Sequence, residues 1–172
     1  MKYFFKTYRK NNDANGESLR VRRTKESTIF ELVAVVLLIA LWTLAISMYR
    51  HAPESIPTHF DLEGNANNYG SRLTLLVIAG VGTLIGVLMM ASAYAPKQMT
   101  NVPMTINNMR QVNILSRMLR IMGIVMILLM MSIICMIGYP EARLPKICMM
   151  VLVGVIMVVP VSFTIAARSK KS

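Results

Sequence analysis

Four apolar blocks, each roughly 18 to 23 residues long, divide this chain, and at about 1.5 Å per helical residue each can cross a hydrocarbon core about 30 Å thick. They fall at residues 29–49, 73–95, 121–139 and 147–167. A single block of this kind could be a signal peptide; four cannot. The first is also preceded by a long polar segment and meets no small-residue cleavage site before Arg50, which makes it a retained helix. Hydrophobic residues form 55% of the 172, with a mean hydropathy of +0.51, against about 45–50% in soluble domains. The expected fold is therefore all-α: an integral membrane four-helix bundle with a short extracytoplasmic loop as its cap, and no soluble domain large enough to fold alone.

A formal charge of +11 invites a nucleic-acid reading, but the placement of the charges gives them another purpose. Of 19 Lys and Arg, eight precede the first block, four (Lys97, Arg110, Arg117, Arg120) lie between the second and third, and three (Arg168, Lys170, Lys171) follow the fourth. These 15 share one side of the membrane; only Arg50, Arg72, Arg143 and Lys146 fall on the other. The asymmetry predicts cytoplasmic termini and no nucleic-acid partner. It divides the chain into a basic N-terminal tail (1–28), a first helix–loop–helix (29–95), a cytoplasmic connection (96–120), a second transmembrane pair (121–167) and a basic tail (168–172).

Within the spans, Glu31 stands close enough to the inner interface to reach water or a basic neighbour, which avoids burying a carboxylate at mid-depth. Gly82 and Gly86 form a GxxxG, expected to let two helices approach closely inside the bundle. From 104 to 120, Met109, Val112, Leu115 and Leu119 make an apolar row beside Asn107, Arg110, Asn113, Arg117 and Arg120. This predicts an amphipathic helix at the inner interface that runs into the third span, with Arg117 and Arg120 snorkelling to the headgroups. Pro160 predicts a kink in the fourth span. The 16 methionines follow no fixed interval and fill apolar gaps rather than build a copper path, and Cys135 and Cys148 read as small buried hydrophobes.

The long polar segment between the first two spans reads RHAPESIPTHFDLEGNANNYGSR, from Arg50 to Arg72. Pro53 and Pro57 stiffen it, 58–62 can extend as a strand, and 63–68 is turn-forming, with Gly64 or the Asn pair able to take positive φ. A compact hairpin-like cap is expected over the outer mouth of the bundle. In an extended strand His59, Asp61 and Glu63 share one face and Phe60 and Leu62 the other, which packs on the bundle. The acidic and imidazole row has metal-ligand chemistry, but its spacing fits no zinc signature, and no metal or other cofactor is expected. There is no HExxH, no phosphate-binding glycine loop and no nucleophilic triad pattern, so an enzyme is not expected either.

The run Ile56, Pro57, Thr58, His59, Phe60, with Gly64 five positions after the histidine, then Asn67, Tyr69, Gly70, Ser71 and Arg72, resembles domain of unknown function 1648, found in bacterial membrane proteins. The resemblance spans the loop with its flanking helices, 29–95. Asn67 stands where the family usually has Asp, and Arg72 where it usually has Lys. Relatives include the Sdp-type immunity protein, which protects its producer from a peptide toxin and signals through a cytoplasmic repressor. The resemblance thus implies a multi-pass protein of the bacterial plasma membrane, with a peptide or envelope ligand outside and a regulator on the cytoplasmic face.

The residues expected to serve ligand binding, or the folding of the cap, are Pro57, His59, Asp61, Gly64, Asn67, Tyr69 and Arg72. The leading expectation is a non-enzymatic membrane protein whose outer loop binds that ligand in an immunity or signalling role. The alternative is a small-solute or ion permease acting as a homo-oligomer, for which the spans offer only small hydroxyls such as Thr43, Ser47, Thr83 and Ser132.

Overall fold

The structure, a computed structural model, describes residues 23–61, 66–95 and 109–168. The order of elements is α1 (Lys25–His51), β1 (Ser55–Phe60), β2 (Ala66–Ser71), α2 (Thr74–Ser92), α3 (Met109–Gly138) and α4 (Arg143–Arg168). All four helices are long and apolar enough to cross a membrane. The expected bundle is present, and its cap is a two-stranded antiparallel hairpin.

α1 begins four residues before its apolar block because Thr24 and Ser27 form a capping box. The Ser27 backbone N–H donates to Thr24 Oγ1 at 3.1 Å, and the Thr24 N–H donates to Ser27 Oγ at 2.8 Å. α3 unites the amphipathic segment with the third span in one uninterrupted helix from Met109, as the helical stripe predicted. α4 admits Pro145 in its first turn, where no intrahelical donor is lost, and continues through Pro160. The N-terminal tail, most of the connection at 96–108 and the last four residues lie outside the described residues.

α3 sits at the centre, in contact with α1, α2, α4 and β1. Small residues set its approach to α2. A Cβ at Gly82 would lie 2.9 Å from Met130 Cγ, and one at Gly86 would lie 2.8 Å from Ile127 Cγ1. The GxxxG is therefore an internal seam facing α3, which answers with its own Gly123, 3.4 Å from the Gly86 carbonyl oxygen when given a Cβ. Leu41, Ala45, Leu75, Ala79, Ile127 and Ile134 make the main core. A second cluster joins Ala93, Leu115, Leu119 and Met122 to Ile156, Val159 and Phe163 of α4. The outward faces of α1, α2 and α4 carry exposed Ile, Leu and Val, the surface a bilayer covers.

At the end opposite the hairpin, Glu31 meets Arg23 at 2.7 Å and accepts a hydrogen bond from the Tyr94 hydroxyl. Arg117 meets Glu26 at 2.7 Å, the two remaining exposed. Arg120 departs from the snorkelling expectation. It is 6% exposed and its Cζ lies over the Tyr94 ring, 5.2 Å from the centroid. The aromatic face at the end of α2 draws the guanidinium into the bundle instead of letting it reach outward.

Candidate functional site

The segment between α1 and α2 is short, rich in proline and asparagine, and bounded by helices that must run antiparallel, so it can only double back on itself. It does so with two irregularities. Ser55 pairs with Ser71, Ile56 with Gly70 and Pro57 with Tyr69; the next pairs are His59 with Asn68 and Phe60 with Ala66. Thr58 is thus extra on one strand and Asn67 on the other, each bulge adding local twist and re-aiming side chains. A regular ladder continued from Ser55–Ser71 would already set His59 opposite Asn67, and the two bulges, which cancel by the Phe60–Ala66 pair, keep the two side chains within reach. His59 Nδ1 lies 2.6 Å from Asn67 Oδ1; an amide oxygen only accepts, so Nδ1 carries the proton and Nε2 is the acceptor in the neutral ring.

The hairpin is fixed from beneath and from its stalk. Ile56 is 3% exposed and joins the main core with Leu75 and Ile137, while Phe60 packs at its margin. Gly70 allows Thr58 to cross closely, since a Cβ there would meet Thr58 Cγ2 at 2.9 Å. At the stalk, the Arg72 backbone N–H donates to the Glu54 carbonyl at 3.1 Å. Its guanidinium donates to the Ala52 carbonyl at 3.4 Å and stacks over Tyr49 at 5.1 Å. Arg72 therefore bolts the start of α2 to the end of α1.

Between the hairpin and the α3–α4 turn lies a cleft of about 350 Å³, bordered by Met48, His51, Pro53, Pro57, Gly138 and Tyr139. Its walls are mainly apolar with a few polar groups at the rim, the character of a small recognition cleft. Of the residues expected from the sequence, Pro57 lines this cleft and Arg72 holds the stalk. His59, Asp61, Asn67 and Tyr69 are exposed on the hairpin, Tyr69 to 62%. Gly64, Glu63 and Leu62 lie outside the described residues, so the face shared by His59 and Asp61 is described only as far as Asp61. His51 does not join His59; its Nδ1–H donates to the Ser47 carbonyl of its own helix at 2.7 Å. Among the described residues no three His, Cys, Asp or Glu side chains converge as a metal site would require.

Tyr49, Glu54 and the Ala52 carbonyl are essential to the stalk, and sequence reasoning did not single them out. Their only signal is an aromatic one turn before a helix end, which does not disclose a partner 23 positions away.

Residues 35–83 match the family model for a domain of unknown function (DUF1648). The matched segment runs from within α1, through the whole hairpin, into α2, and includes Pro57, His59, Asn67, Tyr69 and Arg72; α3 and α4 lie beyond it. No curated protein and no solved structure matches the chain.

Proposed function

We propose that the chain is a non-enzymatic, multi-pass protein of a bacterial plasma membrane. In this reading its hairpin faces the exterior and binds a peptide or another envelope component, in an immunity or signalling role, and the basic cytoplasmic face relays the event to a regulator. One observation carries the reading. The motif separates into residues that hold the cap, Ile56, Gly70 and Arg72, and residues that the cap displays, His59, Asn67 and Tyr69. The imidazole and the amide that holds it are both exposed and cover none of the core, so their pairing presents a group at the surface more than it supports the fold. Tyr69 supplies a rigid amphipathic contact, His59 a hydrogen-bonding group, and the adjoining cleft a seat for an apolar side chain.

The distribution of charge supports the orientation, since Arg23, Lys25, Arg110, Arg117 and Arg120 gather at the end away from the hairpin. The hydroxyls within the spans speak for a binding protein over a permease. Thr43 donates to the Ile39 carbonyl, Thr83 to the Ala79 carbonyl and Ser132 to the Pro145 carbonyl. Each thus commits its one hydrogen to the backbone.

His59→Ala and Tyr69→Ala, with membrane abundance and survival under peptide toxins measured side by side, test the proposal. The expected outcome is full abundance with protection reduced at least about tenfold, as for truncation of residues central to an interface. Unchanged protection at full abundance would contradict a binding role, and lost abundance would assign the motif to folding.

A further inference from the structure

Arg120 carries two hydrogen-bond donors that nothing among the described residues takes up. Among these residues its Nε and Nη2 are both buried without a hydrogen-bond partner, and so is Ser116 Oγ, one helical turn earlier on the same face of α3. The two nitrogens are not an arbitrary pair. Nε–H and the Nη2–H beside it form one edge of the guanidinium, with parallel donors at the spacing of two oxygens of a carboxylate or phosphate. An unpaired buried donor is destabilising, and a buried cation with a whole edge unpaired more so.

The neighbouring acids do not fill that edge. Glu31 acts on Arg120 electrostatically, but its Oε2 is held by Arg23 and its Oε1 by the Tyr94 hydroxyl. Glu26 is engaged by Arg117. Tyr94 sets its ring under Arg120 Cζ, 5.2 Å from the centroid, and its hydroxyl is engaged by Glu31. The group also lies at a definite depth. Arg120 is about 27 Å along α3 from Gly138, and Glu31 about 30 Å along α1 from His51, at roughly 1.5 Å per residue. That places both one hydrocarbon thickness from the hairpin, at the level of phosphate headgroups.

We infer that the Nε/Nη2 edge of Arg120, with Ser116 Oγ, is a binding site for a phosphate-type oxyanion at the end of the bundle opposite the hairpin. The site is closed in this structure, so the oxyanion enters as a covering side chain yields. The same chemistry is offered by a phospholipid headgroup and by free phosphate. The groove of about 400 Å³ beside Tyr94, walled by Ala34, Leu38, Gly86 and Met90, would give an acyl chain a seat at the same level.

The test uses the full-length protein in a phosphate-free maltoside detergent, with thermal unfolding followed on adding phosphatidylglycerol, phosphatidylcholine or inorganic phosphate. Wild type and Arg117→Gln should gain stability from at least one of these. Ser116→Ala should need several-fold more ligand, and Arg120→Lys, which keeps the charge but loses the fork, at least about tenfold more. A response to lipid alone assigns the site to a headgroup, and a response that includes inorganic phosphate assigns it to the oxyanion itself. No gain from any of the three, or an equal gain in wild type, Ser116→Ala and Arg120→Lys, would overturn the site. Should Arg120→Lys fail to fold, the comparison of Ser116→Ala with Arg117→Gln decides: equal responses refute the inference.

Discussion

Single residues in this protein act by what they exclude as much as by what they contact. Gly86 matters because Ile127 already occupies the space a Cβ would need. Gly86→Ala should destabilise the bundle by about 1–3 kcal/mol through overpacking, read as a lowered unfolding midpoint in detergent. Adding Ile127→Ala should recover part of that loss, so that the double variant loses less than the sum of the singles. Gly80, where a Cβ meets nothing within 4 Å, should accept alanine with no loss. Arg72 acts through contact: its hydrogen bond and its stacking on Tyr49 together stabilise the stalk by about 1–2 kcal/mol. Arg72→Ala should therefore loosen the hairpin while leaving the helices intact, seen as faster amide exchange at Ser71 and Glu54 with unchanged helical circular dichroism.

At the level of elements, the helices were legible because their signal is repeated over many residues. Each apolar block falls for most of its length within one helix, and the row Val112, Leu115, Leu119 announces that α3 begins well before its membrane segment. The ends were less legible, since a capping box such as Thr24 with Ser27 is a matter of two side chains. Thr24→Ala should shorten α1 at its start and cost about 1 kcal/mol, measurable as increased exchange of the Ser27 and Thr28 amides. The hairpin was foreseen from Pro57 and the asparagines, but not its register. The bulges at Thr58 and Asn67 leave no mark in the local pattern, since a regular strand would already place Ile56 and Phe60 on one face toward the core. Arg120 shows the same limit. Its helical position was clear, whereas its inward turn depends on Tyr94, which reaches it from another helix.

For the whole molecule, the two ends of the bundle carry different chemistry, and a bilayer between them gives that difference its meaning. The hairpin end displays His59, Asn67 and Tyr69 above an apolar cleft, while the opposite end concentrates arginines, two glutamates and a buried guanidinium edge. Exposed Ile29, Leu32, Val36, Leu144, Val151 and Val158 on the outer faces would be untenable in water and are ordinary in lipid. The hairpin can recognise an envelope ligand only if it stands outside. Single cysteines placed at Tyr69 and at Asn113, with Cys135 and Cys148 replaced by Ala, settle this through a membrane-impermeant maleimide. In intact cells Tyr69→Cys should be labelled and Asn113→Cys should not, with Asn113→Cys becoming reactive once the membrane is opened; labelling of Tyr69→Cys only after opening would contradict an outward-facing hairpin.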